Sequence, residues 1–133
     1  MLRMIAIGAA LALAPAFTPG GSVMAQGDAD AGRRVFAQCQ ACHTINQGGR
    51  NGVGPNLHGV IGRKAGSIEG FRYSNAMRQA GEGGKVWNEE TLVPYLRNPR
   101  EVVQGTSMAF AGLRQDQQIT DVIAYLKQNS PGS

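Results

Sequence analysis

The chain is 133 residues long and carries thirteen Lys and Arg against nine Asp and Glu, a formal net charge of +4. That length holds one domain of ordinary size and leaves no room for a second. The positive balance is too small and too scattered for binding a phosphate backbone, which excludes nucleic acid as a partner and leaves acidic protein surfaces.

The first 25 residues differ in kind from the rest. One charge at Arg3 precedes an apolar run from Met4 to Ala14, Pro15 breaks the run, and Val23-Met24-Ala25 has small-x-small spacing. This predicts a secretory leader over 1–25, cleaved so that the mature domain spans 26–133 and starts at Gln26. A retained membrane anchor is the competing reading, but the run is shorter than the roughly 20 residues that cross a bilayer. The leader has no twin arginine, so the expected route is export of an unfolded chain to the periplasm or an equivalent compartment. Losing Arg3 leaves twelve basic residues against nine acidic ones, a mature charge of +3.

From Asp28 to Cys39, Gly32, Val35, Phe36 and Cys39 recur at three- and four-residue spacing, with Asp28 and Asp30 near the start where a helix dipole favours acid. The spacing predicts an amphipathic helix. Its Gly32 would let a second helix cross closely, with Phe36 packed beside the crossing.

Cys39-Gln40-Ala41-Cys42-His43 follows directly. Two thiols one helical turn apart and an adjacent histidine form the C-x-x-C-H pattern of covalent c-type haem attachment, in which each thiol adds to a vinyl group and His43 reaches the iron. A thioredoxin-type redox pair would need a βαβ neighbourhood. Half of a zinc site would need two more ligands from a chain whose only other histidine is His58 and which has no third cysteine. A Cys39–Cys42 disulfide fits the exported compartment only before haem addition, because the thioether bonds consume both sulfurs.

Glycine makes up 19 of the 133 residues, where about nine would be average, and most of it lies between Gly48 and Gly84. That stretch has no strand alternation, no sustained helical period and no repeat, so it reads as loop that needs a large apolar partner to wrap. A third, shorter helix is predicted from Asn88, whose side chain can cap it while Glu89 and Glu90 fill the first turn; it ends before Pro99 and should kink or tighten at Pro94. Beyond it, Gly105-Thr106-Ser107-Met108 supplies an extended loop. From Gln115 to Gln128, Ile119, Val122, Ile123 and Leu126 repeat the helical pattern, with Asp116 early, Lys127 late, and Tyr125 beside the expected crossing.

A haem iron held by His43 needs a second ligand, and the usual candidates are Met77, Met108, His58, Lys64, Lys85 and Lys127. Met108 is the best placed, on a loop that can lay a flexible thioether over the iron, although read alone a loop methionine is more often plain packing.

The wider pattern bears on that choice. The segment Cys39 to His43, then Gly54-Pro55-Asn56-Leu57-His58-Gly59, Gly62-Arg63-Lys64, Phe71-Arg72-Tyr73-Ser74, Trp87, Thr91-Leu92, Tyr95-Leu96, Asn98-Pro99, the run from Gly105 to Gly112 and Ile123-Ala124-Tyr125-Leu126-Lys127 together resemble class I cytochrome c, over nearly all of the mature chain and in the same order. The resemblance implies an all-α fold, with three main helices and glycine-rich loops around one haem c attached through Cys39 and Cys42. It implies His43 and Met108 as axial ligands, a pair that raises the reduction potential. It further implies that the Pro55 carbonyl accepts from the His43 ring, that Arg63, Tyr73 and Trp87 neighbour the propionates, and that Tyr95 hydrogen-bonds near the methionine sulfur. Thr106 would bond a propionate or brace the loop, and Phe110 would shield the exposed haem edge.

Four departures from the family pattern stand out. Met77 takes the place of an asparagine that holds an internal water, and Asn51 that of a histidine that ties loops together. Gly81-Glu82-Gly83-Gly84 lengthens a surface loop by about three residues. Gln38, Glu101 and Ser107 sit where lysine is common, leaving Arg100 to keep the charge.

The activity implied is that of a soluble, monomeric, periplasmic single-electron carrier, not an enzyme. It would run between a membrane quinol-oxidising complex and a terminal oxidase, reductase or photosynthetic reaction centre. A haem enzyme or gas sensor would need an open sixth position. A haem subunit docked permanently on a larger enzyme is the third possibility.

Overall fold

The structure, a computed structural model, describes residues 8–15 and 27–133. The predicted cleavage motif Val23–Ala25, the mature start at Gln26 and the beginning of the apolar run lie outside the described residues. Residues 8–15 carry no regular element, and no helix among the described residues is long and apolar enough to cross a membrane.

The described residues form five helices: α1 (Ala29–Phe36), α2 (Asn75–Glu82), α3 (Glu89–Arg97), α4 (Pro99–Val102) and α5 (Asp116–Gln128). Among the described residues there is no strand, only one antiparallel bridge between Lys64 and Val86. The all-α expectation therefore holds, with two more helices than the sequence pattern indicated.

Helix α1 starts where Asp28 accepts hydrogen bonds from the Asp30 and Ala31 amides. Its regular part stops at Phe36, three residues short of the predicted end at Cys39. Beyond it the amides of Ala37, Gln38 and Cys39 bond to carbonyls three residues back, a tightened turn that leads into the cysteine segment.

The terminal helices cross as expected. A Cβ on Gly32 would lie 1.9 Å from the Asp121 carbonyl oxygen, so only glycine fits the crossing as it stands. Phe36 and Tyr125 pack beside it with ring centroids 5.4 Å apart. Phe36, Ile119 and Val122 are almost fully buried here, each contributing roughly 1.5–3 kcal/mol of apolar burial. Asp121, itself buried, accepts from the Asp28 amide at 2.9 Å and from Gln117 Nε2 at 2.8 Å, which fastens the start of α1 to α5.

Helix α2 corrects the reading of 48–84 as all loop. Ser74 caps it by accepting from the Met77 amide at 3.1 Å, and it runs into the glycine stretch that looked like a lengthened surface loop. Gly81 is buried in it, with Ala65 O 1.9 Å from where a Cβ would be.

Helix α3 begins at a reciprocal capping box between Asn88 and Thr91 and runs as one element to Arg97, with Pro94 inside it. Asn98 ends α3 and caps the short α4, whose first residue is Pro99. Arg97 pairs with Asp116, and Lys127 with Glu89 at 2.5 Å, joining α3 to α5. Both pairs are exposed and so add little stability.

Candidate functional site

The loops and α3 do not close on the terminal helices. They leave a cavity of about 1410 Å³, counting its open mouth, with walls drawn from segments scattered between Gln38 and Leu126. Leu57, Val60, Leu92, Leu96, Leu113 and Leu126 make it apolar. Cys39, Cys42, His43, Pro55, Arg63, Tyr73, Trp87, Tyr95, Thr106, Met108 and Phe110, the eleven residues singled out in the sequence, all line it.

The cysteine segment is a pair of overlapping turns, in which the Cys42 and His43 amides both bond to the Cys39 carbonyl. Cys39 is half-buried and Cys42 exposed, and the two are not bonded to each other. Burial, with a smaller contribution from Cys42, pushes the Cys39 thiol up to about 11. A thioredoxin-type cysteine needs the opposite shift. The βαβ neighbourhood that reading requires is absent from the described residues, and so is any group of three side chains able to hold a zinc ion.

His43 Nδ1 lies 2.7 Å from the Pro55 carbonyl. That bond puts the ring proton on Nδ1 and leaves the Nε2 lone pair free to bind a metal. Gly54 makes room for the ring, since a Cβ there would stand 2.4 Å from His43 Cε1. Burial lowers the His43 pKa, partly offset by the Pro55 bond, so the neutral form that a ligand requires is favoured.

Met108 is held from two sides. The Tyr95 hydroxyl donates to its sulfur at 3.7 Å, and its amide donates to Thr106 Oγ1 at 3.2 Å. Burial pushes Tyr95 up to about 12, with Thr106 acting in the other direction, so the phenol stays a donor. Its ring packs on Trp87, centroids 4.5 Å apart. Of the other second-ligand candidates only Met77 lines the cavity. His58 faces the Ile45 carbonyl at 3.2 Å, Lys85 lies over the Trp87 ring, and Lys127 is paired with Glu89.

Arg63 donates to the backbone carbonyls of Asn56 and His58, and burial lowers its pKa while the nearby Tyr73 opposes the shift. Tyr73 accepts from the Ile68 amide at 3.1 Å and stacks edge-on with Phe71. Asn51, expected as the loss of a loop tie, makes one of its own: its Oδ1 accepts from the Asn56 amide at 2.8 Å. The contribution of Val53, exposed yet part of the cavity mouth, had no signal in the sequence.

The donor set fits a haem. Two thiols, an imidazole with one free nitrogen, a thioether and a guanidinium share one apolar space, and no buried side-chain nitrogen or oxygen among the described residues lacks a partner.

A family model described as Cytochrome c matches residues 29–130. The chain is 50% identical over 97 residues to a cytochrome c2 of Afifella marina, covering 73% of this chain and 78% of that one. It is 47% identical over 107 residues to a cytochrome c2 of Blastochloris viridis, covering 80% and 82%. Among solved structures, cytochrome cH from Methylobacterium extorquens superposes with a TM-score of 0.70 at 42% identity, over 77% of this chain and 99% of that one.

Proposed function

Because the chain belongs to the cytochrome c family, we propose that it is a periplasmic single-electron carrier, loaded with one haem c and running between a membrane quinol-oxidising complex and a terminal oxidase, reductase or photosynthetic reaction centre. One observation carries this reading: His43 and Met108 line the same apolar cavity as both thiols, each supported by its own hydrogen bonds. When bound, haem c supplies a one-electron iron couple.

The chain's own residues do the rest. Cys39 and Cys42 would hold the ring covalently. His43, its tautomer set by Pro55, would offer Nε2 to the iron. Met108 would offer a neutral thioether, a weak donor that favours iron(II), and the Tyr95 hydroxyl on its sulfur keeps that side chain in place. Arg63, Tyr73 and Trp87 would neighbour the propionates, and Phe110 would cover the edge at the mouth. Two ligands supplied by the chain would leave no open position for a substrate, which suits electron transfer rather than catalysis.

The test is the optical spectrum of the purified holoprotein. A low-spin spectrum with a weak ferric methionine-to-iron band is expected. In Met108→Ala haem should remain covalently attached, the band should vanish, the potential should fall, and carbon monoxide binding and peroxidase-like turnover should rise. An unchanged band in that variant would exclude Met108. A high-spin spectrum of the unmodified protein would favour an enzyme or gas sensor instead.

A further inference from the structure

The Pro55 carbonyl that accepts from His43 and the Asn56 amide that donates to Asn51 are two edges of a single peptide group. We propose that Asn51 is a positioning residue for the proximal ligand, acting through that peptide to set both the direction and the strength of the bond to His43. The proposal rests on the reading of His43 as ligand.

The geometry makes the peptide plane depend on Asn51. Pro55 has its φ fixed by its ring, so the carbonyl can swing only about ψ. That rotation also turns the Asn56 N–H, which Asn51 Oδ1 holds at 2.8 Å. The other polar groups of Asn56 are occupied elsewhere. Its Nδ2 donates to Thr44 Oγ1 at 2.7 Å and to the Asn46 carbonyl at 3.0 Å, its Oδ1 accepts from the His58 amide at 3.1 Å, and its carbonyl accepts from Arg63 at 2.9 Å. The Asn51 contact is therefore the one bond that bears directly on the N–H edge of the plane.

The same bond changes the carbonyl electronically. An amide whose N–H is donated becomes more polar, and its oxygen a better acceptor, by about 10–30% per bond in a chain. A stronger acceptor at Pro55 draws on the Nδ1 proton and makes the imidazole a more basic ligand, which stabilises iron(III). Losing Asn51 should therefore raise the reduction potential. A merely structural loosening would act in the opposite direction, because water admitted to the site stabilises the extra charge of iron(III) and lowers the potential.

The experiment is redox titration of the holoprotein with Asn51→Ala and Asn51→Asp, beside amide hydrogen exchange and proton NMR. Asn51→Ala is expected to shift the one-electron equilibrium towards iron(II) about threefold, roughly 28 mV at about 59 mV per tenfold. The Asn56 amide should exchange faster and the His43 ring-proton shifts should move. Asn51→Asp keeps an acceptor oxygen, so its Asn56 exchange should stay slow and its potential at or below that of the unmodified protein. A potential that is unchanged or falls in Asn51→Ala, with His43 ring protons still hyperfine-shifted, overturns the proposal alone. Absence of hyperfine-shifted His43 protons in the unmodified holoprotein overturns the ligand reading, and the proposal with it.

Discussion

At the α1–α5 crossing the backbone of Gly32 lies against the Asp121 carbonyl and the flanking side chains are sealed, whereas between His43 and Leu113 the side chains stand back around an open apolar cavity. Glycine serves the two regions by different physics. Gly32 has an ordinary backbone conformation and is needed for its missing Cβ. Gly105 and Gly112, with φ of 91° and 117°, bracket the Met108 loop in the left-handed region that other residues avoid. The crossing is complete with the chain's own atoms. The loop region is shaped for something the polypeptide does not supply.

That difference breaks first at the cysteines. The double variant Cys39→Ala/Cys42→Ala should lose covalently bound haem, and with it the filling of the cavity, while the α1–α5 pair keeps every packing residue. Mass spectrometry should find little or no haem-loaded chain. Haem-loaded protein at normal yield would refute the attachment assignment.

The crossing itself breaks at Gly32→Ala. Forcing a methyl group to within 1.9 Å of a carbonyl oxygen separates the helices at a cost of about 3 kcal/mol, against which alanine's better helix propensity returns about 1 kcal/mol. A net loss of about 2 kcal/mol should appear in denaturant unfolding with the reduction potential nearly unmoved. A neutral result would mean that the crossing is looser than the Gly32 contact implies.

The smallest effect sharpens the comparison at the cavity mouth. Gln38 and Ser107 are exposed there and uncharged, and the Glu101 carboxylate is engaged by Asn98 Nδ2 at 3.1 Å. Encounter with an acidic partner is steered by charge over a Debye length of about 8 Å at physiological salt. With Gln38 and Ser107 uncharged there, stopped-flow electron transfer to a redox partner should fall only mildly across a salt series. Gln38→Lys/Glu101→Lys/Ser107→Lys should steepen that dependence. A steep decline in the unmodified protein would assign the steering to other basic residues, such as Arg33, Arg34, Arg97 and Arg100.

What could be read in advance follows from how local each feature is. Asp28 and Asn88 act within one turn of their helix ends, and Gly32, Phe36 and Tyr125 lie on periodic stripes, so pattern alone located them, whereas the answering bond from Thr91 is seen only in the structure. Helix α2 escaped notice because Ala76, Met77 and Ala80 are a sparse apolar face in eight residues and Gly81 looks like a breaker until Ala65 is seen against it. The convergence of Arg63, Trp87 and Tyr95 on one space came from the family resemblance, since nothing in the sequence near those residues indicates a common neighbour. The role of Asn51 depends on two hydrogen bonds meeting at one peptide, which no one-dimensional pattern encodes.

The bond from the Asp28 amide to Asp121 joins residues 93 positions apart. Closing a loop of that length costs about 4 kcal/mol of chain entropy, which local helix formation cannot offset. In a chain made from its N-terminus, α1 and the two cysteines appear early and α5 appears last. The clamp on the segment before the cysteines therefore stays open until nearly the whole chain has emerged. Over that interval the segment that carries the thiols lacks its long-range anchor, and only shorter-range bonds, such as those within its own turns, hold it.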